Sequence, residues 1–90
     1  MNFSDFDHAR AYVNGGVKLH HRSAGTGPTV VLVHGWLGTS YTWRHVAPRL
    51  AAHHRVLVPD MRGYGDSEKP ASGYDGLALV EDLRGLNSNF

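Results

Sequence analysis

Short apolar runs alternate along the chain with stretches in which apolar residues recur at helical spacing. In Thr29-Val30-Val31-Leu32-Val33 the apolar residues run without a polar break, the pattern of a strand covered on both faces. Val56-Leu57-Val58 repeats it and closes on Pro59-Asp60. Upstream, Ala11-Tyr12-Val13 and Val17-Lys18-Leu19-His20-His21 flank Asn14-Gly15-Gly16. β-prone runs on either side of an Asn-Gly pair predict a hairpin. Between the two apolar runs, Trp43, Val46, Ala47 and Leu50 stand at i, i+3, i+4 and i+7, which predicts a helix with one buried stripe. Thr39 or Ser40 is placed to cap it. Pro48 lacks a backbone donor, so the helix restarts or kinks there. After the loop Met61–Gly73, a second helix opens at Asp75 or Gly76, carries Leu79, Val80, Leu83 and Leu86 as its stripe, and stops at Asn87-Ser88-Asn89-Phe90.

Two buried strands joined through a helix, followed by another helix, predict an α/β fold built on a βαβ unit. The hairpin adds antiparallel strands at one edge, so the sheet is expected to be mixed. The 90 residues form one small domain at most, and a chain of that size buries roughly 60–65% of its unfolded surface. No internal repeat interrupts the pattern.

Composition changes this picture little, but it removes several classes of function. Hydrophobic residues make up 41% and charged residues 19% of the chain, as in ordinary globular domains. The net charge of +1, with no basic run, offers no footprint for nucleic acid or a membrane surface. No apolar segment approaches the length of a membrane helix. With no cysteine, there is no disulfide framework, thiolate metal site or cysteine nucleophile. The first ten residues contain no apolar core of a signal peptide, and a reducing, cytoplasmic location is expected.

Chemistry enters where the strand Thr29–Val33 runs into His34-Gly35-Trp36-Leu37-Gly38. In open α/β sheets, ligands gather at the carboxyl ends of the strands. Gly35 and Gly38 lack side chains and permit a tight turn that leaves backbone N–H groups open to approach. One such donor aimed at a developing oxyanion is worth roughly 2.7–4 kcal/mol in a transition state.

The run HGWLGTSYTWRHVAPRL followed by VLVPDMRGYGDSEKP resembles the N-terminal third of an α/β-hydrolase. Within that family it is most similar to the epoxide hydrolase and haloalkane or haloacetate dehalogenase branch. The likeness extends from about Phe6 to Leu86. It rests on the His-Gly pair, Trp43-Arg44, and the Asp60-x-Arg62-Gly63-Tyr64-Gly65-x-Ser67-x-Lys69-Pro70 loop at this spacing. The resemblance implies that the hairpin and the two buried strands are the first four strands of the family sheet. It also implies that Trp36 offers its backbone N–H to an oxyanion hole, with His34 and Gly35 supporting the turn and His34 bonding to nearby backbone. Hydrolysis of an epoxide, carbon–halogen or ester bond in a small molecule is the implied activity of the complete fold, with no cofactor.

The chain departs from the family pattern in two places. The epoxide hydrolase motif is His-Gly-x-Pro, often with a cis bond before the proline, whereas this chain has Leu37. A cis bond before another residue costs roughly 2.5–4 kcal/mol, so the turn is expected to differ. The family's nucleophile elbow, with its acid and late histidine, has no counterpart here: Ser67 lies in GDSEK and Ser72 in PASGY. The expected object is therefore residues 1–90 as the truncated N-terminal segment of one α/β-hydrolase domain, lacking the nucleophile strand and inactive alone. In the family, Thr29–Val33 lies beside that strand. Its loss leaves an apolar sheet edge, so self-association through residues 29–33 is expected. The alternatives are a non-catalytic fragment that pairs with a partner through this edge, or a truncated product that is degraded.

Other constellations read as structure. His20 and His21 are adjacent on a strand and point to opposite faces. His53 and His54 fall near a helix C-terminus, where a cation is favoured. Neither pair has the spacing of a metal site, and none is expected. Asp60 is expected to tie down its own loop by local hydrogen bonds rather than to form a catalytic pair with Asp66. Arg62 is expected to be a structural ion-pair partner. Gly25-Thr26-Gly27 and Gly63-Tyr64-Gly65 are too short for a dinucleotide fingerprint. Trp36 and Trp43 are expected in the core or in a wall.

Overall fold

The computed structural model describes residues 1–35 and 38–88. Its centre is a four-stranded mixed sheet, order β1-β2-β4-β3, made of Asp7–Val13 (β1), Val17–Ala24 (β2), Thr29–Val31 (β3) and Arg55–Pro59 (β4). β1 pairs antiparallel with β2, β2 antiparallel with β4, and β3 parallel with β4. The mixed sheet expected from the pattern is thus present, with the hairpin at one edge. The hairpin turn places Asn14, Gly15 and Gly16 at φ values of 46°, 81° and 133°, the left-handed region that Asn and Gly enter at least cost.

The hairpin is longer than its apolar residues suggest. β1 begins at Asp7 and β2 runs to Ala24, because cross-strand pairing from Asp7↔Ser23 onward recruits polar residues with little strand preference of their own. β3 is shorter than its apolar run. The ladder ends at Val31, and Leu32 N–H continues it with one bond to the Leu57 carbonyl.

The register sorts the side chains into two faces, since directly opposed residues share a face. Ala24, Val30, Val56 and Val58 lie on one face and pack with Phe3, Phe6, Leu32, Ala47 and Trp43. Leu19 and Val13 lie on the other and pack with Leu86. β4 is covered on both sides: Val56, Leu57 and Val58 are fully buried. Each such side chain contributes about 1.5–3 kcal/mol by leaving water.

The helices depart from the predicted stripes. The segment after the glycines forms a short 3-10 helix, Ser40–Trp43, and then a separate one-turn helix α1, Ala47–Leu50. Thr39 caps the first by accepting the Tyr41 N–H at 3.2 Å. Pro48 stands in the first turn of α1, where its missing donor costs nothing. A restart there is the reason the four-residue stripe fails: Ala47 is buried but Val46 is exposed. The last helix α2, Gly76–Ser88, begins with Asp75 Oδ1 accepting the Ala78 N–H at 3.0 Å. Of its expected stripe only Leu86 is fully buried, while Val80 is 58% exposed. No helix among the described residues is long and apolar enough to cross a membrane.

What fixes α2 is a charge. Asp82 is fully buried and grips Arg62 by two bonds, Nε to Oδ2 at 2.6 Å and NH2 to Oδ1 at 2.7 Å. Arg62 NH1 reaches the Ser72 carbonyl at 3.2 Å. Bonding to Asp82 outweighs burial and raises the Arg62 pKa further, so the guanidinium stays charged. The expected ion-pair role of Arg62 is the one observed. Removing one partner of a buried pair strands the other. Asp82→Ala is therefore expected to cost about 3–5 kcal/mol in urea unfolding, with Arg62→Met/Asp82→Leu recovering most of the loss.

Candidate active site

The carboxyl ends of the parallel strands β3 and β4 lie side by side, and the chain leaves both through loops that meet. His34 is buried, and its Nε2 accepts the Met61 N–H at 2.9 Å. Nε2 therefore carries no hydrogen, and Nδ1 is the protonated nitrogen. Nδ1–H donates to the Gly35 carbonyl at 2.8 Å. With both nitrogens committed, His34 has no lone pair left for general-base work. Tyr64 packs edge-on against its ring, 5.2 Å between centroids. Gly35 is exposed, and its carbonyl also accepts the Gly38 N–H at 3.0 Å. Trp36, assigned the oxyanion-hole N–H from the sequence, lies outside the described residues, as does Leu37.

Asp60 stands one residue before Met61 and holds the other end of the same turn. Its Oδ1 accepts the Ser40 N–H at 2.6 Å. Its Oδ2 accepts the Asp66 N–H at 3.2 Å and lies 2.8 Å from His20 Nδ1. The neighbouring Ser67 hydroxyl accepts the His20 N–H at 2.8 Å and donates to the Asp60 carbonyl. Consecutive residues at the tip of β4 thus hold His34 and Ser40. The expected local tie from Asp60 is real at Asp66; the bonds to Ser40 and His20 come from distant parts of the chain. Gly65 makes room for them. Its φ is +54°, and a Cβ there would collide with the Asp60 carboxylate.

Burial alone would raise the Asp60 carboxyl. The Ser40 amide, the His20 ring, the Asp66 amide and the Ser40 hydroxyl outweigh it, and the carboxyl is held below its ordinary value. His20, Asp60 and Asp66 also bring three ligand-type atoms within 4.8 Å of one another. Asp60 is already engaged by donors, and His20 Nδ1 must carry hydrogen to face it. The trio is therefore a hydrogen-bonded cluster rather than an open set of metal donors.

Beside this turn, a groove of about 460 Å³ runs from Val33, His34 and Gly35 past Met61 and Tyr64 to Leu79, Val80 and Leu83 of α2. The apolar residues missing from the core stripe of α2 line this groove. Sequence reasoning missed His8, His20, Ser40, Ser67 and Asp82 as parts of the site's support. Their partners are far away in the chain, and no spacing pattern signals such contacts.

The sign of the pH effect follows from Asp60. A carboxyl depressed in the folded state stabilises it above the unfolded pKa, and that stability is lost as pH falls through the folded value. The stability of the wild-type chain is expected to fall below about pH 4. Asp60→Asn is expected to be less stable at neutral pH and to show a shallower acid fall, read by denaturant midpoints across that range. Gly65→Ala is expected to lower the neutral midpoint as well.

Comparison with known proteins assigns this arrangement to a family. Residues 28–87 match the model of the alpha/beta hydrolase fold family. The chain is 43% identical over 86 residues to the soluble epoxide hydrolase of Corynebacterium sp. (strain C12), covering 96% of this chain and 30% of that protein. It is 47% identical over 73 residues to epoxide hydrolase 3 of Siraitia grosvenorii, covering 78% of this chain and 23% of that one. Among solved structures, epoxide hydrolase CorEH superposes with a TM-score of 0.89 at 44% identity, over 94% of this chain and 30% of that one. Epoxide hydrolase VrEH1 from Vigna radiata gives 0.92 at 35% identity, over 99% and 28%. The chain thus spans less than a third of the length of these relatives. The mixed sheet, the paired strand ends and the matched residues agree on one conclusion: the chain belongs to the α/β hydrolase fold family.

Proposed function

We propose that this chain is the oxyanion side of an epoxide-hydrolase-type site. Turnover requires a nucleophile, an acid and a histidine base supplied from outside residues 1–90. The observation that carries the reading is the turn 34–40, pinned at His34 by the Met61 N–H and at Ser40 by Asp60. A backbone donor stabilises charge in a transition state only if it is already fixed in place. His34 and Ser40, which flank the segment, are each fixed by such a bond to the tip of β4. The groove beside it falls within the range of small-molecule sites. The kind of bond broken is drawn from the relatives, which are epoxide hydrolases. In such chemistry a covalent ester formed on a carboxylate nucleophile is hydrolysed through a tetrahedral oxyanion, and the turn acts at that step.

The test is a chimera in which residues 6–86 replace the matching segment of the Corynebacterium soluble epoxide hydrolase. Epoxide hydrolysis by the chimera is expected, with none from the 90-residue chain alone. His34→Ala in the chimera is expected to lower kcat by about 10²-fold, the effect of a misplaced reacting group. A folded chimera with no turnover, or an undiminished His34→Ala variant, refutes the reading.

A second reading concerns assembly. Among the described residues β3 pairs with β4 alone, and Val33, just beyond it, is 39% exposed. An open apolar edge is a pairing template, so self-association through residues 29–33 is the expected behaviour of the chain by itself. Sedimentation is expected to show associated species, with Val31→Lys shifting them toward monomer. A monodisperse wild-type monomer with a sharp thermal transition contradicts this.

A further inference from the structure

The two oxygens of the Asp60 carboxylate face different parts of the molecule. Oδ1 receives the Ser40 N–H, and Oδ2 faces His20 Nδ1. A carboxylate only accepts, so His20 Nδ1 carries a hydrogen. The opposite nitrogen of the same ring, Nε2, lies 2.9 Å from His8 Nδ1. The rings are 5.1 Å apart and tilted by 35°. His20 is 2% exposed, whereas His8 lies at the surface. In the β1–β2 register His8 opposes Arg22 and Arg10 opposes His20, so the two histidines are diagonal neighbours on one face. A continuous line therefore runs from solvent to the turn: His8, His20, Asp60, Ser40.

Hydrogen counting restricts the charge this line can carry. Two imidazole nitrogens at hydrogen-bond distance hold one hydrogen between them. With both rings neutral, His8 Nδ1–H donates to His20 Nε2. With one added proton the pair carries a single positive charge and the contact survives. With two, both facing nitrogens bear hydrogen and the contact must open. The protons therefore bind in two steps that belong to the pair. Arg22 on β2 and Arg10 on β1 oppose added charge, and so does His21 on the other face of β2. Asp60 at the end of β4 and Asp66 in the following loop favour it. Burial, then Arg22 and His20, hold His8 below the ordinary histidine value.

We propose that His8 and His20 share one proton in front of Asp60 and act as positioning residues, their combined charge setting how firmly Asp60 holds the Ser40 end of the 34–40 turn. A positive His20 draws the carboxylate charge toward Oδ2 and weakens the acceptor at Oδ1. The Ser40 bond then loosens as pH falls, while the Met61–His34 bond at the other end carries no such link. Its consequence for catalysis rests on the reading of this turn as the oxyanion side; the proton sharing itself does not.

The experiment is a pH titration of the full 90-residue chain, labelled with ¹⁵N, from about pH 8 to about pH 5, the histidine range, for wild type and His8→Gln. The Ser40 amide resonance is expected to move in two steps that coincide with the two imidazole signals. One step is expected in His8→Gln, where glutamine keeps a donor but cannot titrate. The amides of Val56, Leu57 and Val58 are expected to stay still in both. A Ser40 amide that ignores the imidazoles, or that moves identically in the two proteins, overturns the proposal. If association broadens the spectra, hydrogen exchange read by mass spectrometry replaces them. At about pH 5.5, the peptide containing Ser40 is expected to exchange at different rates in wild type and His8→Gln, with the difference gone at about pH 8; equal uptake at both overturns the proposal. Neither measurement reads turnover, so its outcome is separate from that of the hydrolase reading.

Discussion

An ionised carboxylate buried in protein must be surrounded by donors or it will not stay ionised. Asp60 meets that condition with groups from several segments: the His20 ring from β2, the Ser40 N–H from the segment after β3, and the Asp66 N–H from the loop after β4. Hydrogen bonds to a charged group are worth about 1.5–3 kcal/mol each. None of these segments is held in this position by its own residues alone. The 40–43 helix is a single 3-10 turn, and the 61–73 loop has no regular structure. Asp60 is an acceptor they share.

Arg62, two residues on, does for the other face of the sheet what Asp60 does for the first. Asp60 gathers the sheet and the turn; Arg62 reaches Asp82 and brings α2 into place. One short segment after β4 thus sends an acceptor to one side and a donor to the other. The groove lies between the two, which explains why it is lined by the end of β3 and by α2. Its walls are positioned by charges, and Arg62 and His34 interrupt an otherwise largely apolar lining.

Much of the architecture was legible from pattern. The apolar runs at 30–33 and 56–58, the Asn-Gly-Gly turn and the start of the last helix all depend on local preference. The structure keeps them with small shifts of boundary. What failed was reading burial from spacing. Val46 and Val80 fit a helical stripe, yet both are exposed: one follows from the restart at Pro48, the other from a helix whose apolar side faces a groove. The first half of β1 was illegible because Asp7, His8 and Arg10 are strand residues only through their partners on β2. In the site, His34 and Gly35 stood out because a strand ending in His-Gly is unusual in a core. His20 looked like one of two adjacent histidines on opposite faces, which it is. Its role depends on Asp60 and His8, and contacts across that distance leave no mark in local sequence.

The small core on the α2 side joins Val13 and Leu19 of the hairpin to Leu86 of α2, distant in sequence. The two strands of the hairpin adjoin in sequence, but the side chain that covers them lies far along the chain and leaves the ribosome long after they do. Until then Val13 and Leu19 present bare apolar surface. Contacts between residues this far apart in sequence also slow folding, because the long loop must close before they form. An early element of this segment therefore waits for a later one to cover it. Until α2 has been made, the hairpin offers a chaperone apolar surface to bind.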